Sequence, residues 1–299
     1  MRIEHSQNFL HSKKLVAALI AKTNINKDDT IIEIGPGKGI ITEELSQNCN
    51  KVVAVEYDKN LAHNLTETFA ENSNIQIIEQ DFLKYKLPAT GGYKMCASIP
   101  FNLTAEIMKK VLECDNPPTD IYFIMQYEAF LKYAGAPFYS DSLRSLLYKP
   151  WFSADLIYEF EPTDFRPVPN ARICFVHFQQ KNESEVRDSK EYRNFLSYVF
   201  TAPGNYFKEK TKRLFSYEQQ KRICKQIKIS MDSSITEISY DGWINLYNVY
   251  LKFVSEEKKE IVKGSEQAFK KGQKNMQKVH RNRHYGYSKA KHYKKNGGN

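Results

Sequence analysis

The sequence predicts an α/β protein with a Rossmann-like, seven-stranded and mostly parallel sheet, followed by a small all-α domain. Three observations support this fold class. Short apolar runs alternate with helical patterns over roughly the first 180 residues, an order typical of a parallel sheet covered by helices on both faces. The last two apolar runs are joined by a short proline-containing loop, which is too short for a crossover helix and predicts an antiparallel hairpin at the sheet edge. Beyond residue 180 only helical patterns continue.

Two apolar periodicities define the individual elements. Apolar residues recur every three or four positions in four helical segments of the first domain, at 13–21, 40–47, 61–69 and 105–112. The seven strand candidates are short runs rich in branched and aromatic residues, at 30–34, 51–55, 75–80, 93–98, 121–125, 154–160 and 172–178. Between residues 192 and 253, apolar faces that include Phe195, Val199, Trp243 and Leu246 predict helices with a core of their own.

Composition divides the chain into three segments. Residues 1–180 contain every strand signal, and residues 181–258 begin with a polar linker and continue as the helical domain. Residues 259–299 contain twelve Lys and Arg and two Glu, a net charge of +10, so the preceding 258 residues carry −1 of the chain's +9. Because this last segment lacks hydrophobic periodicity, we expect a basic, disordered tail.

The basic tail indicates a polyanionic partner. Three histidines and three tyrosines are interleaved with its cations. Cations displace counterions from phosphates and aromatic rings stack on bases, so this combination suits a nucleic acid. A tail that only aids solubility is the alternative. A second basic stretch, KEKTKR at 208–213, is equally compatible with an RNA contact and with a solvated helix face.

Composition also argues against several classes of protein. No apolar run is long enough to span a bilayer, and the first residues lack the apolar core of a secretory signal, so we expect a cytoplasmic protein without a membrane partner. Five cysteines without a CxxC pair argue against a disulfide framework and against a structural zinc site. We predict no metal site and expect a monomer.

Three successive strand ends predict a binding edge for an adenosine-containing ligand. The strand at 30–34 leads into a Glu-x-Gly-x-Gly-x-Gly pattern at 33–39, whose glycines allow a tight turn and the close approach of a ligand to backbone amides. Glu56 ends the next strand, where a carboxylate can accept hydrogen bonds from both ribose hydroxyls. Asp81 ends the third strand and can accept a hydrogen bond from an adenine amine. Either acid alone is more often a solvated loop residue, but together they predict a nucleotide site.

The fourth strand end carries the sequence Ser98-Ile99-Pro100-Phe101. An exocyclic adenine N6 is a poor nucleophile, because its lone pair is delocalised into the ring. A side-chain oxygen and a backbone carbonyl can hold its two hydrogens and favour a pyramidal nitrogen. Proline restricts the backbone beside that carbonyl and offers no N–H that would compete. An aromatic side chain can stack on an extruded base. A proline that merely ends the strand beside a packed phenylalanine is the structural alternative.

These motifs resemble two nested families. The glycine pattern resembles the S-adenosylmethionine sites of class I methyltransferases, and Ser-x-Pro-Phe resembles their Asn/Asp/Ser-x-Pro-Tyr/Phe motif for amino methylation. The segment His5-Ser6-Gln7-Asn8-Phe9-Leu10 and the segment FRPVPNA at 165–171 resemble those of the rRNA adenine-N6 dimethyltransferases. The similarity covers nearly residues 1–258. It implies a class I methyltransferase domain at 1–180 and an RNA-binding helical domain at 181–258.

The resemblance also implies the residues of the site. The cofactor S-adenosylmethionine would be held by Gln7, Asn8, Leu10, Gly35, Gly37, Glu56, Tyr57, Asp81, Phe82 and Ser98. The target adenine would be surrounded by Ser98, Ile99, Pro100, Phe101 and Phe165, with Ile99 acting through its carbonyl and Phe165 forming the second face of a sandwich.

Within the family the chain is most similar to the erythromycin-resistance (Erm) branch, in its length, its Ser-Gln-Asn-Phe start and its basic tail. That similarity implies methylation of one adenine of 23S rRNA. The alternatives are dimethylation of 16S rRNA in ribosome maturation, and a weakly active RNA-binding accessory protein. Both rRNA branches usually have Asn where this chain has Ser98, a change that predicts a slower enzyme that favours monomethylation.

Overall fold

The computed structural model of the protein describes residues 9–275. The strands in this range are β1 (Phe9–Leu10), β2 (Thr30–Ile34), β3 (Lys51–Glu56), β4 (Ile75–Glu79), β5 (Lys94–Ser98), β6 (Asp120–Gln126), β7 (Phe152–Glu159), β8 (Phe165–Arg166) and β9 (Ile173–Gln180). Seven of them form a sheet in the order β4-β3-β2-β5-β6-β9-β7, in which β9 runs antiparallel to both β6 and β7 and the other pairs are parallel. This confirms the mostly parallel α/β sheet with an antiparallel hairpin at its edge.

Helices cover the sheet and build the second domain. They are α1 (Lys13–Ile20), α2 (Ile40–Asn48), α3 (Lys59–Thr68), α4 (Thr104–Leu112), α5 (Tyr127–Ala134), α6 (Leu143–Leu146), α7 (Ser189–Thr201), α8 (Phe207–Thr211), α9 (Tyr217–Ile227), α10 (Tyr240–Phe253), α11 (Glu256–Lys259) and α12 (Ser265–Asn275). The sequence patterns did not predict α5 and α6. Among residues 9–275, no helix has both the length and the apolar character needed to cross a membrane.

Local side-chain caps explain where several helices begin. Ser12, Asp58 and Asp188 each precede a helix, and the side chain of each accepts a hydrogen bond from a backbone N–H in the first turn. These bonds satisfy amides that have no partner within the helix. The short polar residues ahead of α1, α3 and α7 therefore set the points at which the chain leaves the loops.

Two apolar layers enclose the sheet. Side chains alternate along each strand, so that Ile32 and Val53 pack on one face whereas Ile31 and Val52 pack on the other. The helical domain has its own core around Trp243, which is 1% exposed. Tyr148 and Trp151 pack against both the sheet core and the helical core. The two domains are thus joined by apolar contact as well as by the linker.

The prediction of disorder from residue 259 onward is wrong for residues 259–275. Val262 is 1% exposed, and the helix α12 that follows packs along α7. Glu266 Oε1 lies 2.7 Å from Arg193 Nε, and Lys270 Nζ lies 3.2 Å from Glu113 Oε2. The partners of this helix lie about 70 or more residues away in the chain, so local periodicity could not reveal them. Residues 276–299, which contain the rest of the tail, lie outside the described residues.

Candidate active site

The carboxyl ends of the parallel strands meet at one edge of the sheet. Ile34 of β2 pairs with Val55 of β3, and Ser98 of β5 pairs with Ile124 of β6. β2 and β5 are neighbours in the sheet although β3 and β4 lie between them in sequence, so the strand order reverses here. In open α/β sheets this reversal creates the crevice in which ligands bind. The glycine turn, Glu56, Asp81 and Ser98 are all delivered to this edge.

The glycine turn after β2 presents its backbone to the crevice. Gly35 and Gly37 have φ values of 59° and 61°, a region that side chains disfavour. The Gly35 N–H donates to the Val55 carbonyl at 2.9 Å, which ties the turn to β3. A Cβ atom on Gly37 would lie 2.8 Å from the Phe9 ring, so only glycine leaves room for that ring. Phe9 and the turn therefore form a closely fitted pair.

Glu56 is the best-held acid of the edge. It is 3% exposed; its Oε2 accepts from the Gly37 N–H at 3.1 Å and its Oε1 accepts from the Asp58 N–H at 2.9 Å. Each carboxylate oxygen has a further lone pair, so the group can still accept ribose hydroxyls. Tyr57, which follows it, is 63% exposed and presents an aromatic ring at the rim.

A second buried carboxyl, Glu33, lies behind the glycine turn. Burial raises the pKa of Glu33 to about 8, the hydroxyl donated by Thr42 at 2.7 Å opposes this rise, and the Glu56 charge adds to it. From the sequence alone, Glu33 is only the first residue of the glycine pattern. With a pKa of about 8, Glu33 is expected to be mostly protonated at pH 7, which limits the negative charge beside Glu56.

The turn after β4 holds the third predicted acid. The Gln80 N–H donates to the Glu56 carbonyl at 2.8 Å, so this turn is tied to β3. Asp81 Oδ1 accepts from the Leu83 N–H at 2.9 Å and shapes the turn. Phe82 is 6% exposed, and none of residues 9–275 accepts a hydrogen bond from its backbone N–H. That N–H and the remaining Asp81 oxygen are the groups that an adenine could use.

Lys110 on α4 is a site residue that the sequence did not predict. Its Nζ donates to the carbonyls of Leu83 at 3.0 Å and Tyr85 at 2.5 Å, and it lies 5.4 Å from the centroid of the Phe82 ring. Burial lowers the pKa of Lys110, and the Asp81 carboxylate opposes that shift. The contact joins the turn after β4 to the helix that follows the Ser98 motif. Its carbonyl partners lie 25 and 27 residues away, so no local pattern marks it.

The Ser98 motif presents two acceptors at the same edge. Ile99 is 2% exposed and its N–H donates to the Ile124 carbonyl at 3.1 Å, which extends the pairing with β6. Within residues 9–275, neither the Ser98 hydroxyl nor the Ile99 carbonyl has a hydrogen-bond partner. Pro100 has φ −61° and its carbonyl caps a single 3-10 turn that begins at Phe101. The two unpartnered oxygens are the ones that the motif predicts for an amine.

The motif at the N-terminal end of the sheet domain pairs with the proline-containing motif near its C-terminal end. Leu10 of β1 pairs with Phe165 of β8, and Phe9 pairs with Arg166. Phe165 is 1% exposed and packs edge-on against Phe160, with ring centroids 5.0 Å apart. Its ring is therefore covered, and stacking on a base would require its surroundings to move. The predicted cofactor residues Gln7 and Asn8 lie outside the described residues.

The basic stretch 208–213 divides into structural and exposed parts. Lys208 forms an ion pair with Asp232 at 2.5 Å, and Lys210 donates to two carbonyls at the end of α7 at 3.0 and 2.8 Å. Lys212 and Arg213 are exposed and have no ion-pair partner in the part of the chain that the structure describes. Half of the stretch thus stabilises the helical domain.

The exposed cations continue along α9. Tyr217 is 61% exposed, and Lys221 Nζ lies 4.4 Å from the centroid of its ring. Arg222 and Lys225 are exposed on the same helix and, within residues 9–275, pair with no acid. Lys221 itself also pairs with Glu218 at 3.5 Å. An exposed ring on a helix with two unpaired cations is a composition typical of a surface that contacts RNA.

Comparisons with known proteins agree with this geometry. Residues 1–252 match the family model described as ribosomal RNA adenine dimethylase. An rRNA adenine N-6-methyltransferase of Bacillus anthracis is 28% identical over 256 residues, covering 84% of this chain and 88% of the relative. A ribosomal RNA small subunit methyltransferase A of Fusobacterium nucleatum is 26% identical over 254 residues, covering 83% and 96%. The crystal structure of the 23S rRNA methyltransferase ErmE superposes with a TM-score of 0.74 at 21% identity, covering 81% of this chain and 98% of that one, which shows a shared fold.

Proposed function

Because the chain belongs to the ribosomal RNA adenine dimethylase family, we propose that it methylates N6 of one adenine in 23S rRNA. Family membership makes it an S-adenosylmethionine-dependent rRNA adenine-N6-methyltransferase. The large-subunit target is the proposed part. So is its consequence, reduced binding of macrolide, lincosamide and streptogramin B antibiotics to ribosomes in the cytoplasm.

The edge of the sheet fits the cofactor. A Cβ atom on Gly35 would meet nothing within 4 Å, so the glycine turn has open space beside it for a ligand, and Glu56 offers a buried carboxylate for ribose hydroxyls. Asp81 and the Phe82 N–H offer an acceptor and a donor to an adenine. When bound, S-adenosylmethionine supplies a sulfonium methyl group that is transferred to a nucleophile. We propose that these residues hold it, with Leu10, Gly35 and Tyr57 at the rim.

The observation that carries the N6 chemistry is the pair of free acceptors on Ser98 and Ile99. Two oxygens without partners in the described chain can accept the two hydrogens of an exocyclic amine. This positioning turns the nitrogen lone pair toward the methyl group, and transfer then needs alignment rather than a strong base. Phe101 begins the turn beside these acceptors and offers an aromatic surface to the base.

The choice of 23S rRNA rests on the basic C-terminal segment. The Bacillus anthracis and Fusobacterium nucleatum relatives differ by two percentage points in identity, and the name of the first gives no ribosomal subunit, so identity to these relatives does not separate the two targets. The segment 259–299 carries +10, and such a segment is a point of similarity to the Erm branch. Methylation of small-subunit rRNA remains the second candidate, because a relative with that name matches over 254 residues.

In the test, the purified protein is incubated with labelled S-adenosylmethionine and one of two substrates, protein-free 23S rRNA or immature small subunits. Each RNA is then digested to nucleosides and analysed by mass. N6-methylated adenosine from 23S rRNA alone supports the proposal, and the ratio of mono- to dimethyladenosine reports on Ser98. Dimethyladenosine from small subunits alone would assign the protein to ribosome maturation. Cofactor binding without any product would favour an accessory RNA-binding role.

A further inference from the structure

The loop between β8 and β9 has an exposed apolar tip. Pro167, Val168 and Pro169 are consecutive, and Val168 is 58% exposed. An isolated exposed apolar residue is common on protein surfaces and alone means little. Here the flanking prolines restrict the backbone on both sides, so the side chain is held out on a stiff support. The position of the loop gives this tip its significance.

The tip lies at the same sheet edge as the Ser98 motif. Ile173 opens β9 and pairs with Gln126, the last residue of β6. Two residues earlier on β6, Ile124 pairs with Ser98. The Tyr127 N–H donates to the Arg172 carbonyl at 3.0 Å and fixes the far end of the loop to this edge. The other end is fixed by the pairing of β8 with β1. The loop therefore borders the place where the target base must enter.

Two arginines bracket the tip. Arg172 is largely committed within the protein, because its guanidinium lies 3.8 Å from the centroid of the Tyr127 ring and 2.6 Å from Glu159 Oε2. Arg166 is exposed and has no ion-pair partner among residues 9–275. It is thus free to contact a phosphate beside the apolar tip. An apolar point with an adjacent free cation suits a stacked nucleic acid better than a protein surface.

An adenine that lies within a base stack cannot reach the Ser98 and Ile99 acceptors without leaving the stack. Extrusion costs free energy because stacking is lost, and proteins that open stacks commonly insert an apolar side chain between bases. We propose that Val168 enters the RNA base stack next to the target adenine and fills the space that the extruded base leaves. Arg166 holds the adjacent phosphate. This inference rests on the adenine-N6 activity of the family and does not depend on which ribosomal subunit is the target.

The test compares full-length Val168→Ala with Val168→Ile, which keeps the wedge, and with Leu251→Ala, which truncates another exposed apolar residue on α10. The RNA is the rRNA fragment that the wild-type protein methylates, so the subunit assignment is decided beforehand. Each protein is assayed on that folded fragment and on a short single strand of the same target sequence. Base extrusion is followed separately by the fluorescence of 2-aminopurine placed at the target position.

We expect Val168→Ala to lower kcat/KM about tenfold on the folded fragment and to change it less than twofold on the single strand, where there is no stack to open. The fluorescence rise on binding should shrink in parallel. The Ile and Leu251 variants should match the wild type. An equal loss on both RNAs, or no loss on the folded one, would overturn the proposal.

Discussion

The two halves of the active-site edge differ in how their polar groups are held. In the cofactor half, made of the turns at 35–39, 56–58 and 81–85, Glu56 accepts two backbone N–H groups and Lys110 donates to two carbonyls. In the target half, made of residues 98–101 and the loop 167–172, the oxygens of Ser98 and Ile99 have no partner within residues 9–275. The cofactor half is therefore preorganised, whereas the target half keeps its acceptors available for an incoming base.

The largest expected effect concerns Glu33, the protonated carboxyl behind the cofactor half. Its pKa of about 8 in the folded chain lies above the ordinary 4.5, so its contribution to stability is complete below pH 4.5 and is lost as the pH rises towards 8. Glu33→Gln should remove this loss, which amounts to several kcal/mol, on the order of 4. Urea unfolding of the cofactor-free protein between pH 4.5 and 8.5 measures it.

The groups that face Glu33 are Thr42, the Glu56 carboxylate and the Cys96 thiol. Burial raises the pKa of the Cys96 thiol well above its ordinary value. Cys96 therefore stays neutral over this pH range. The matched control is Glu71→Gln, because Glu71 is exposed and has no ion-pair partner among residues 9–275, and this variant should follow the wild-type curve. If Glu33→Gln and wild type lose stability in parallel above pH 5, Glu33 is ionised in the folded protein.

The next effect is loss of cofactor binding on Glu56→Gln. The amide nitrogen cannot accept a hydrogen bond, so one of the N–H groups of Gly37 and Asp58 loses its acceptor and the ribose loses another. We expect affinity for S-adenosylmethionine to fall roughly 100-fold. Calorimetric titration measures it, with the exposed Glu79→Gln on the neighbouring strand as control. Affinity within threefold of wild type would show that Glu56 does not hold the ribose.

In the target half, Ser98→Asn should raise the rate of methyl transfer. An Asn carbonyl accepts without having a proton of its own to place, whereas the Ser98 hydroxyl has one. Stabilising the transition state by about 1–3 kcal/mol would raise the single-turnover rate roughly tenfold to a hundredfold. The fraction of dimethyladenosine in the product should rise as well. Cofactor affinity should stay the same, which separates the two halves. An unchanged rate and an unchanged ratio of mono- to dimethyladenosine would contradict the prediction that Ser98 slows methyl transfer.

RNA affinity should depend on cations outside both halves. We expect truncation after Asn275, which keeps α12 and removes seven Lys and Arg, to weaken RNA binding about tenfold or more at low salt. The slope of log affinity against log salt should become less negative by roughly 0.7–0.9 for each lost phosphate contact. A Lys221→Ala, Arg222→Ala, Lys225→Ala variant tests α9 in the same way. If the affinities of the wild type and both variants depend on salt with the same slope, neither residues 276–299 nor the cations of α9 contact the RNA.

The smallest expected effect distinguishes positioning from chemistry. Lys110→Met keeps an apolar stem but leaves the carbonyls of Leu83 and Tyr85 without their donor. We expect the KM for S-adenosylmethionine to rise about fivefold, with kcat within twofold, because the turn that offers Asp81 loosens. Lys110→Arg should restore the KM, and Lys109→Met, on the exposed side of the same helix, should be neutral. A fall in kcat with KM unchanged would contradict a positioning role.

Much of this site was predictable because its residues follow strand ends directly in the sequence. The glycine turn, Glu56, Asp81 and Ser98 each continue a short apolar run, and parallel strands deliver such residues to one edge. The two-residue strands β1 and β8 were not predictable, since neither is long enough to show a period. Their pairing nevertheless brings Leu10 to Phe165 and covers a ring that the resemblance implied would stack on the base.

The sequence by itself determined the sheet, the order of the motifs and the family, because these follow from local periodicity and from residues close in the chain. Tertiary structure alone decided which charges serve the fold and which stay free. Within the single hexapeptide 208–213, Lys208 pairs with Asp232 and Lys210 caps carbonyls at the end of α7. Lys212 and Arg213 of the same stretch remain exposed. It also decided that α12 is ordered. The physical reason is the same in each case: a side chain's role depends on partners that only folding brings near.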